Sequence, residues 1–195
     1  MNGHHLILGE LVDYITGKTL KDTHDERYRQ KIARLLVDTK GYSKKDIVTN
    51  HPVTIAAGHQ KAVIRLDFLV IIFEKYAMLI RYAPGSIVTR RRPAIAASRV
   101  TMPYQIPVVV ATNGEDAESL SGSTGQILFK GLDAIPSRTE LETIMANDTF
   151  DLVSPEKVDM EARILYAFDV DDKCPCDDTT CVETFTDEKT PPNES

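Results

Sequence analysis

The order of apolar and polar positions divides most of the chain into short helices and strands. Thr23 and Glu26 have the spacing of a helix-capping pair, and apolar residues at helical spacing follow as far as Thr39, which predicts a first helix. The next segments alternate turn residues with runs rich in β-branched side chains. These runs predict three strands, at 53–57, 62–73 and 76–82.

The second half of the chain adds helices and strands to this pattern. Ile106 to Thr112 is almost entirely apolar, which is typical of a strand covered on both faces. Another short strand is predicted at 126–129. The predicted helices run from Pro93 near the helix start to Thr101, from Ser137 to Met145 and from Pro155 to Phe168. This order of elements predicts an α/β fold in which helices flank a mixed sheet.

The composition agrees with one globular domain followed by a different kind of segment. The chain has 195 residues, 42% hydrophobic and 27% charged, enough for one well-buried core. We expect this domain to cover residues 1–168, and the polar, acidic residues 169–195 to form a largely disordered tail. No apolar run approaches the roughly 20 residues of a membrane span, and Met1 to Glu10 does not resemble a signal peptide, so we expect a cytoplasmic protein without membrane contact.

The net charge of −6 is distributed unevenly along the chain. Residues 169–195 carry nine acidic and two basic groups, which leaves residues 1–168 with a net charge of +1. A body of this charge has no general attraction for phosphates, because affinity for nucleic acid depends on how many phosphates are neutralised. Nucleic-acid binding would therefore need a local basic patch.

All three cysteines lie in the acidic tail, at Cys174, Cys176 and Cys181. An odd number of cysteines placed so close together argues against the disulfide framework of a small secreted protein. Three thiolates could hold Zn²⁺ if an aspartate or a distant histidine completed a tetrahedron, although the spacing is not that of a common zinc finger or ribbon. The alternative is reduced, exposed thiols or a redox-sensitive pair.

Five short motifs occur in order between the predicted elements. They are Thr23-His-Asp-Glu-Arg-Tyr-Arg-Gln30, Lys40-Gly-Tyr42, Arg65-Leu-Asp67-Phe, Tyr82-Ala-Pro-Gly85 and Thr112-Asn-Gly114. Together they resemble the N-terminal domain of type I restriction enzyme R subunits, over about residues 10–145. The resemblance implies the restriction-endonuclease-like fold of the PD-(D/E)xK nucleases, in a stand-alone copy without a helicase motor.

The resemblance also implies where a nuclease centre would lie. In that family an Asp on the second strand and a Glu-x-Lys on the third bind Mg²⁺ and activate water, often with a Glu on the first helix. Asp67 matches the strand Asp and Glu26 the helix Glu. Such carboxylates form an oxygen cage for a hard cation, which polarises the scissile phosphate.

The third strand departs from the family pattern. Counted back from Ala83-Pro84-Gly85, the Glu-x-Lys position is Ile80-Arg81-Tyr82, or Leu79-Ile80-Arg81 if the register shifts by one residue. Neither register supplies a carboxylate. Arg81 could replace the Lys as a cation, but a guanidinium does not act as a general base. Glu74 and Glu115 are candidate replacements for the missing carboxylate, although both are predicted to lie in turns.

Each candidate residue also has a structural interpretation. Glu26 is the third residue of its helix, where its side chain could bond the backbone N–H of Thr23. Asp67 lies among apolar residues, so it must either pair with Arg65 or Arg81 or face a polar cleft.

A short basic run is the candidate nucleic-acid contact. Arg90, Arg91 and Arg92, together with Arg99, could bind phosphates beside the Asp67 cleft. Runs of this length also occur as the solvated start of a helix.

The family resemblance and the missing Glu-x-Lys on the third strand leave two functions to consider, and a third remains open. The first is a catalytically degenerate nuclease-like module that binds nucleic acid or a protein partner without a cofactor, which the missing Glu-x-Lys favours. The second is an active Mg²⁺-dependent DNA endonuclease whose second carboxylate comes from elsewhere in the chain. The third is a structural interaction protein whose acidic tail recruits a partner. The sequence leaves the oligomeric state undetermined.

Overall fold

The computed structural model describes residues 7–171 and 181–183. The strands of this part of the chain are β1 Gly9–Val12, β2 Thr19–Asp22, β3 Ile47–Ala57, β4 Gln60–Ile72, β5 Lys75–Tyr82, β6 Val108–Thr112, β7 Ala117–Ser121, β8 Ile127–Lys130 and β9 Cys181–Glu183. Its α-helices are α1 His24–Arg34, α2 Ile87–Val100, α3 Arg138–Ala146 and α4 Pro155–Tyr166. Two π-helical turns, Leu35–Thr39 and Ala167–Asp171, continue α1 and α4.

One mixed sheet organises the fold. Its strand order is β3-β4-β5-β6-β7-β8, with β9 paired to β4 beside this path. Strands β5 and β6 are parallel and all the other neighbours are antiparallel, while β1 and β2 form a separate antiparallel hairpin. The predicted mixed sheet flanked by helices is therefore confirmed.

Two apolar layers cover the sheet. The first contains Ile32 of α1 and Leu141 of α3, packed against β4, β5 and β6. The second contains Ala97 of α2 and Leu165 of α4, packed against the other face. No helix in the described ranges is long and apolar enough to cross a membrane.

Strand β4 changes its neighbour near the middle of its length. It pairs with β5 only from Phe68 to Ile72, and with β9 from Lys61 to Val63. Asp67 therefore lies at a fork where β5 leaves β4. The other edge of β4 pairs with β3. There Asn50 has a φ of +55°, which interrupts the otherwise regular β3–β4 ladder opposite Asp67.

The start of α2 differs from the prediction. The helix begins at Ile87, and Pro93 lies inside it rather than near its start. Pro93 and the alanines that follow are buried against the sheet, so tertiary packing outweighs the hydrogen bond that an internal proline loses. Arg90, Arg91 and Arg92 consequently belong to the helix.

Strands β1, β2, β7 and β9 were not predicted. Strand β7, Ala-Glu-Ser-Leu-Ser, has no β-branched residue, and it is a strand because it fills the space between β6 and β8. Its buried Glu118 pairs with Arg91, a contact across 27 positions that no local pattern reveals. The β1–β2 hairpin is short and half exposed, so it lacks a strong alternation.

The turn after β6 packs directly on α1. Gly114 has a φ of +85°, and a Cβ added there would lie 2.4 Å from Cδ1 of Tyr28. We expect Gly114→Ala to lower the free energy of unfolding by about 3 kcal/mol, through backbone strain and overpacking. Gly85 is the matched control, because it has a φ of +90° but open space around its Cβ position. Gly85→Ala should cost only about 1 kcal/mol in urea denaturation, and equal losses would show that the contact with Tyr28 is unimportant.

Candidate functional site

Asp67 accepts hydrogen bonds on both of its carboxylate oxygens. Oδ1 accepts from Nε of Arg29 at 2.7 Å, and Oδ2 accepts from the backbone N–H of Tyr82 at 3.0 Å. The Nε of Arg81 lies 3.5 Å from Oδ2. The side chain of Asp67 is only 8% exposed, so these donors, rather than bulk water, compensate its charge.

Helix α1 places three polar side chains on the face that meets Asp67, at Glu26, Arg29 and Gln30. Residues at i, i+3 and i+4 share one side of a helix. Thr23 caps the helix by accepting from the backbone N–H of Glu26 at 3.1 Å. The Glu26 carboxylate accepts from Nε2 of Gln30 at 2.8 Å, rather than serving as the predicted partner of the Thr23 N–H.

Arg29 lies between the two carboxylates predicted to bind Mg²⁺. Its Nε contacts Asp67 at 2.7 Å and its Nη1 lies 3.7 Å from Oε2 of Glu26. The Glu26 and Asp67 side chains are thus close together, as the resemblance implies, but a guanidinium holds the position between them.

A third carboxylate, Asp13, belongs to the same cluster. It follows β1, is 6% exposed and accepts from Nε2 of Gln30 at 3.4 Å. Gln30 also donates to Glu26, and its Oε1 accepts from the backbone N–H of Tyr14 at 2.7 Å. The Gln30 amide therefore links Asp13 to Glu26 in the way that Arg29 links Glu26 to Asp67.

These side chains line a cleft of about 380 Å³ between the β1–β2 hairpin, α1 and the β3–β4 ladder. Its lining combines three carboxylates with three cations. The residues are Asp13, Thr16, Lys18, Leu20, Glu26, Arg29, Gln30, Thr49, Asn50, Arg65, Leu66, Asp67 and Phe68. Lys18 and Arg65 are exposed and form the basic rim of the cleft.

Burial and neighbouring charges shift the pKa values of Glu26 and Arg29 in the cleft. Burial raises the pKa of Glu26, and Asp13 and Asp67 raise it further, while the Gln30 hydrogen bond and Arg29 oppose this shift. Burial alone would lower the pKa of Arg29, but the charge of Asp67 and its hydrogen bond leave it above the usual value. Arg29 is therefore a permanent cation inside the cleft.

The described residues contain no group of three His, Cys, Asp or Glu side chains arranged to hold a metal ion. Glu115, one candidate replacement for the missing carboxylate, accepts instead from the Tyr28 hydroxyl at 2.9 Å. Glu74 lies at the β4–β5 turn with a φ of +63°. The predicted zinc ligands Cys174 and Cys176 lie outside the described residues, and only the backbone of Cys181 is described, in β9.

Arg81 lies nearest the carboxylate oxygen of Asp67 that Arg29 does not contact. Its Nη2 donates to Oδ2 of Asp169 at 2.8 Å, and its side chain is 16% exposed. Burial would lower the pKa of Arg81, whereas Asp169 and Asp67 together raise it above its usual value. Arg29, Asp67, Arg81 and Asp169 thus form a continuous chain of alternating charges through the fork.

The arginines predicted to bind phosphates are largely engaged within the protein. Arg92 and Arg99 contact the two oxygens of Glu161 at 2.5 and 2.6 Å, and Glu161 is fully buried between α2 and α4. Arg91 pairs with Glu118 through Nη2 at 2.7 Å. Arg90 is partly buried in the same helix. None of these four arginines lines the Asp67 cleft.

The charge of Asp67 holds two buried cations in place. We expect Asp67→Asn, which keeps the size but removes the charge, to lower the free energy of unfolding by about 2–4 kcal/mol, since Arg29 and Arg81 lose their shared partner. Asp159→Asn is the matched control, because Asp159 pairs with Arg163 on the exposed surface of α4. That variant should stay within about 0.5 kcal/mol of the wild type, and a similar loss in both would contradict the role given to Asp67.

Comparison with known proteins identifies the family. A search of curated proteins and a search of solved structures found no match. The family model described as type I restriction enzyme R protein N terminus matches residues 24–136, more than half of the chain. This range contains Glu26, Arg29, Asp67 and Arg81. The chain therefore belongs to the family of type I restriction enzyme R protein N-terminal domains.

Proposed function

We propose that this chain is a PD-(D/E)xK-type nuclease-like module that binds DNA in the Asp67 cleft without cleaving it. The observation that carries the proposal is the position of Arg29 between Glu26 and Asp67. A cation of the protein itself compensates the carboxylates that would otherwise hold Mg²⁺.

A guanidinium cannot do the chemistry of the metal. A bound Mg²⁺ polarises the phosphate as a Lewis acid and lowers the pKa of a bound water, so that hydroxide forms near neutral pH. Arg29 supplies positive charge and hydrogen-bond donors, but it brings no water ligand and does not release a proton. Arg81 lies on the third strand at the position of the family's Glu-x-Lys. As a guanidinium, it also brings no water ligand and does not release a proton.

The basic rim supports DNA as the ligand. Lys18, from the turn between β1 and β2, and Arg65 of β4 are exposed at the cleft, and Arg29 of α1 is half-buried in it. Cations in this arrangement can bind successive phosphates of a nucleic-acid backbone, which gives affinity without sequence readout. The family takes its name from type I restriction enzymes, which agrees with DNA rather than RNA as the ligand.

An active metal-dependent endonuclease is the second candidate, and one observation favours it. Asp13, Glu26 and Asp67 line the same cleft, and their mutual repulsion contributes to the raised pKa of Glu26. A divalent cation that displaced Arg29 would relieve this repulsion. If this alternative holds, Mn²⁺ will support nicking of supercoiled plasmid by the wild-type protein and not by Asp67→Ala.

DNA binding through the rim can be measured by fluorescence anisotropy with a labelled duplex and a labelled single strand at low salt. We expect Arg65→Ala to weaken binding by about 3- to 10-fold, because one phosphate contact is lost. Lys130→Ala is the matched control: it also removes one positive charge, but from β8 at the other edge of the sheet. It should change affinity by less than about twofold.

Two results would contradict the proposal. Equal losses in Arg65→Ala and Lys130→Ala would show that binding depends on overall charge rather than on the cleft. Absence of wild-type binding to either form of DNA would direct the search to a protein partner instead.

A further inference from the structure

The C-terminal part of the described chain returns to the fork in the sheet. After α4, the π-helical turn Ala167–Asp171 brings Asp169 to Arg81, and Val170 packs against the apolar layer of α2 and α4. Asp169 is 14% exposed, so its carboxylate is turned into the protein rather than into solvent. We call residues 167–171 the strap.

The chain contacts β4 a second time beyond the strap. Residues 181–183 pair antiparallel with Lys61–Val63, on the part of β4 that β5 does not cover. The strap contacts Arg81 of β5, and β9 pairs with the part of β4 that β5 has left, so both segments lie where β4 and β5 separate.

The guanidinium of Arg81 carries more N–H donors than there are acceptors within hydrogen-bond distance. Its Nη2 donates to Asp169, whereas its Nη1 is buried without a hydrogen-bond partner among the described residues, and its Nε lies 3.5 Å from Asp67 without forming a hydrogen bond. A guanidinium offers five N–H donors in a planar fork that matches carboxylates and phosphates. One carboxylate oxygen uses only part of this capacity.

We infer that Asp169 takes, within the same chain, the place of a DNA phosphate on Arg81, so that the strap withholds from DNA a cation that lies next to the Asp67 cleft. This inference rests on the proposed DNA-binding function. When the strap moves away, Arg81 becomes available as a further phosphate contact. It lies close to Arg29, because both arginines pair with Asp67.

Charge and connectivity both favour this competition. Carboxylate and phosphate oxygens bind a guanidinium in the same geometry, and a phosphate offers more acceptor oxygens. A carboxylate tethered within the chain acts at a high effective concentration, so it can hold back a DNA ligand that is weakly bound. Residues 169–195, which include Asp169, carry a net charge of −7, which also opposes the approach of DNA.

Asp169→Asn tests the inference in the full-length chain, with labelled duplex DNA as the probe. Removing the competing charge should tighten DNA binding by about 5- to 10-fold. Asp171→Asn is the matched control, because it removes the same charge from the exposed end of the same strap. It should change affinity by less than about twofold, and thermal unfolding of each variant will confirm that the protein is folded.

Hydrogen exchange of the wild-type protein gives an independent readout. We expect the backbone amides of residues 167–171 to exchange faster when duplex DNA is added, while those of α4 do not change. Slower exchange in the strap would overturn the inference, because it would mean that DNA stabilises the strap in place.

The binding results separate this inference from the proposed function. If Asp169→Asn binds DNA more tightly than the wild type and Asp171→Asn does not, the result supports both the inference and the proposed function. Wild-type binding that neither substitution changes, or that both change equally, overturns the inference and leaves the proposed function standing. If none of the three proteins binds DNA, the proposed function fails and the inference fails with it.

Discussion

The contact between Arg29 and Asp67 is the interaction on which the rest of the site depends. A carboxylate that is 8% exposed in the middle of a long strand would be costly without a cation at hydrogen-bond distance. Arg29 supplies that cation from α1, and Asp67 in turn accepts from the backbone of Tyr82 in β5. One charge pair thus ties the first helix to the point where β4 and β5 separate.

Under the proposed function, this pair would also explain how a nuclease-like module binds DNA without cleaving it. The fork still gathers carboxylates at the end of a cleft, as the family resemblance implies. Arg29 offsets the charge of Glu26 and Asp67 from within the protein. Under the proposed function, the exposed Lys18 and Arg65 then bind phosphates. Under that function, a single side chain, Arg29 between Glu26 and Asp67, separates DNA binding from cleavage.

The sequence predicted the elements with strong periodicity and the two carboxylates on them. The first helix, the buried strand β6 and the meeting of Glu26 with Asp67 all follow from local patterns and from the motifs. Arg29 was overlooked because an arginine at a polar helix position resembles a solvated residue. Only its spacing from Glu26, one helical turn away on the same face, could have indicated that it points at Asp67.

Other features depend on contacts between distant parts of the chain. Asp13 and Lys18 reach the cleft through a short hairpin that has no clear alternation, and Glu161 pairs with both Arg92 and Arg99 across more than sixty positions. Pro93 suggested a helix start, but burial against the sheet decided otherwise. In each case, burial and charge pairing in the folded protein outweigh a local preference.

Titration with Mn²⁺, followed by the electron paramagnetic resonance signal of the free ion, tests most directly whether Arg29 replaces a metal. The wild-type protein should leave millimolar Mn²⁺ free, whereas Arg29→Ala should bind one ion at a site that is lost when Asp67→Asn is added. Binding of one Mn²⁺ by the wild-type protein, abolished by Asp67→Asn, would contradict the account and identify a working metal centre.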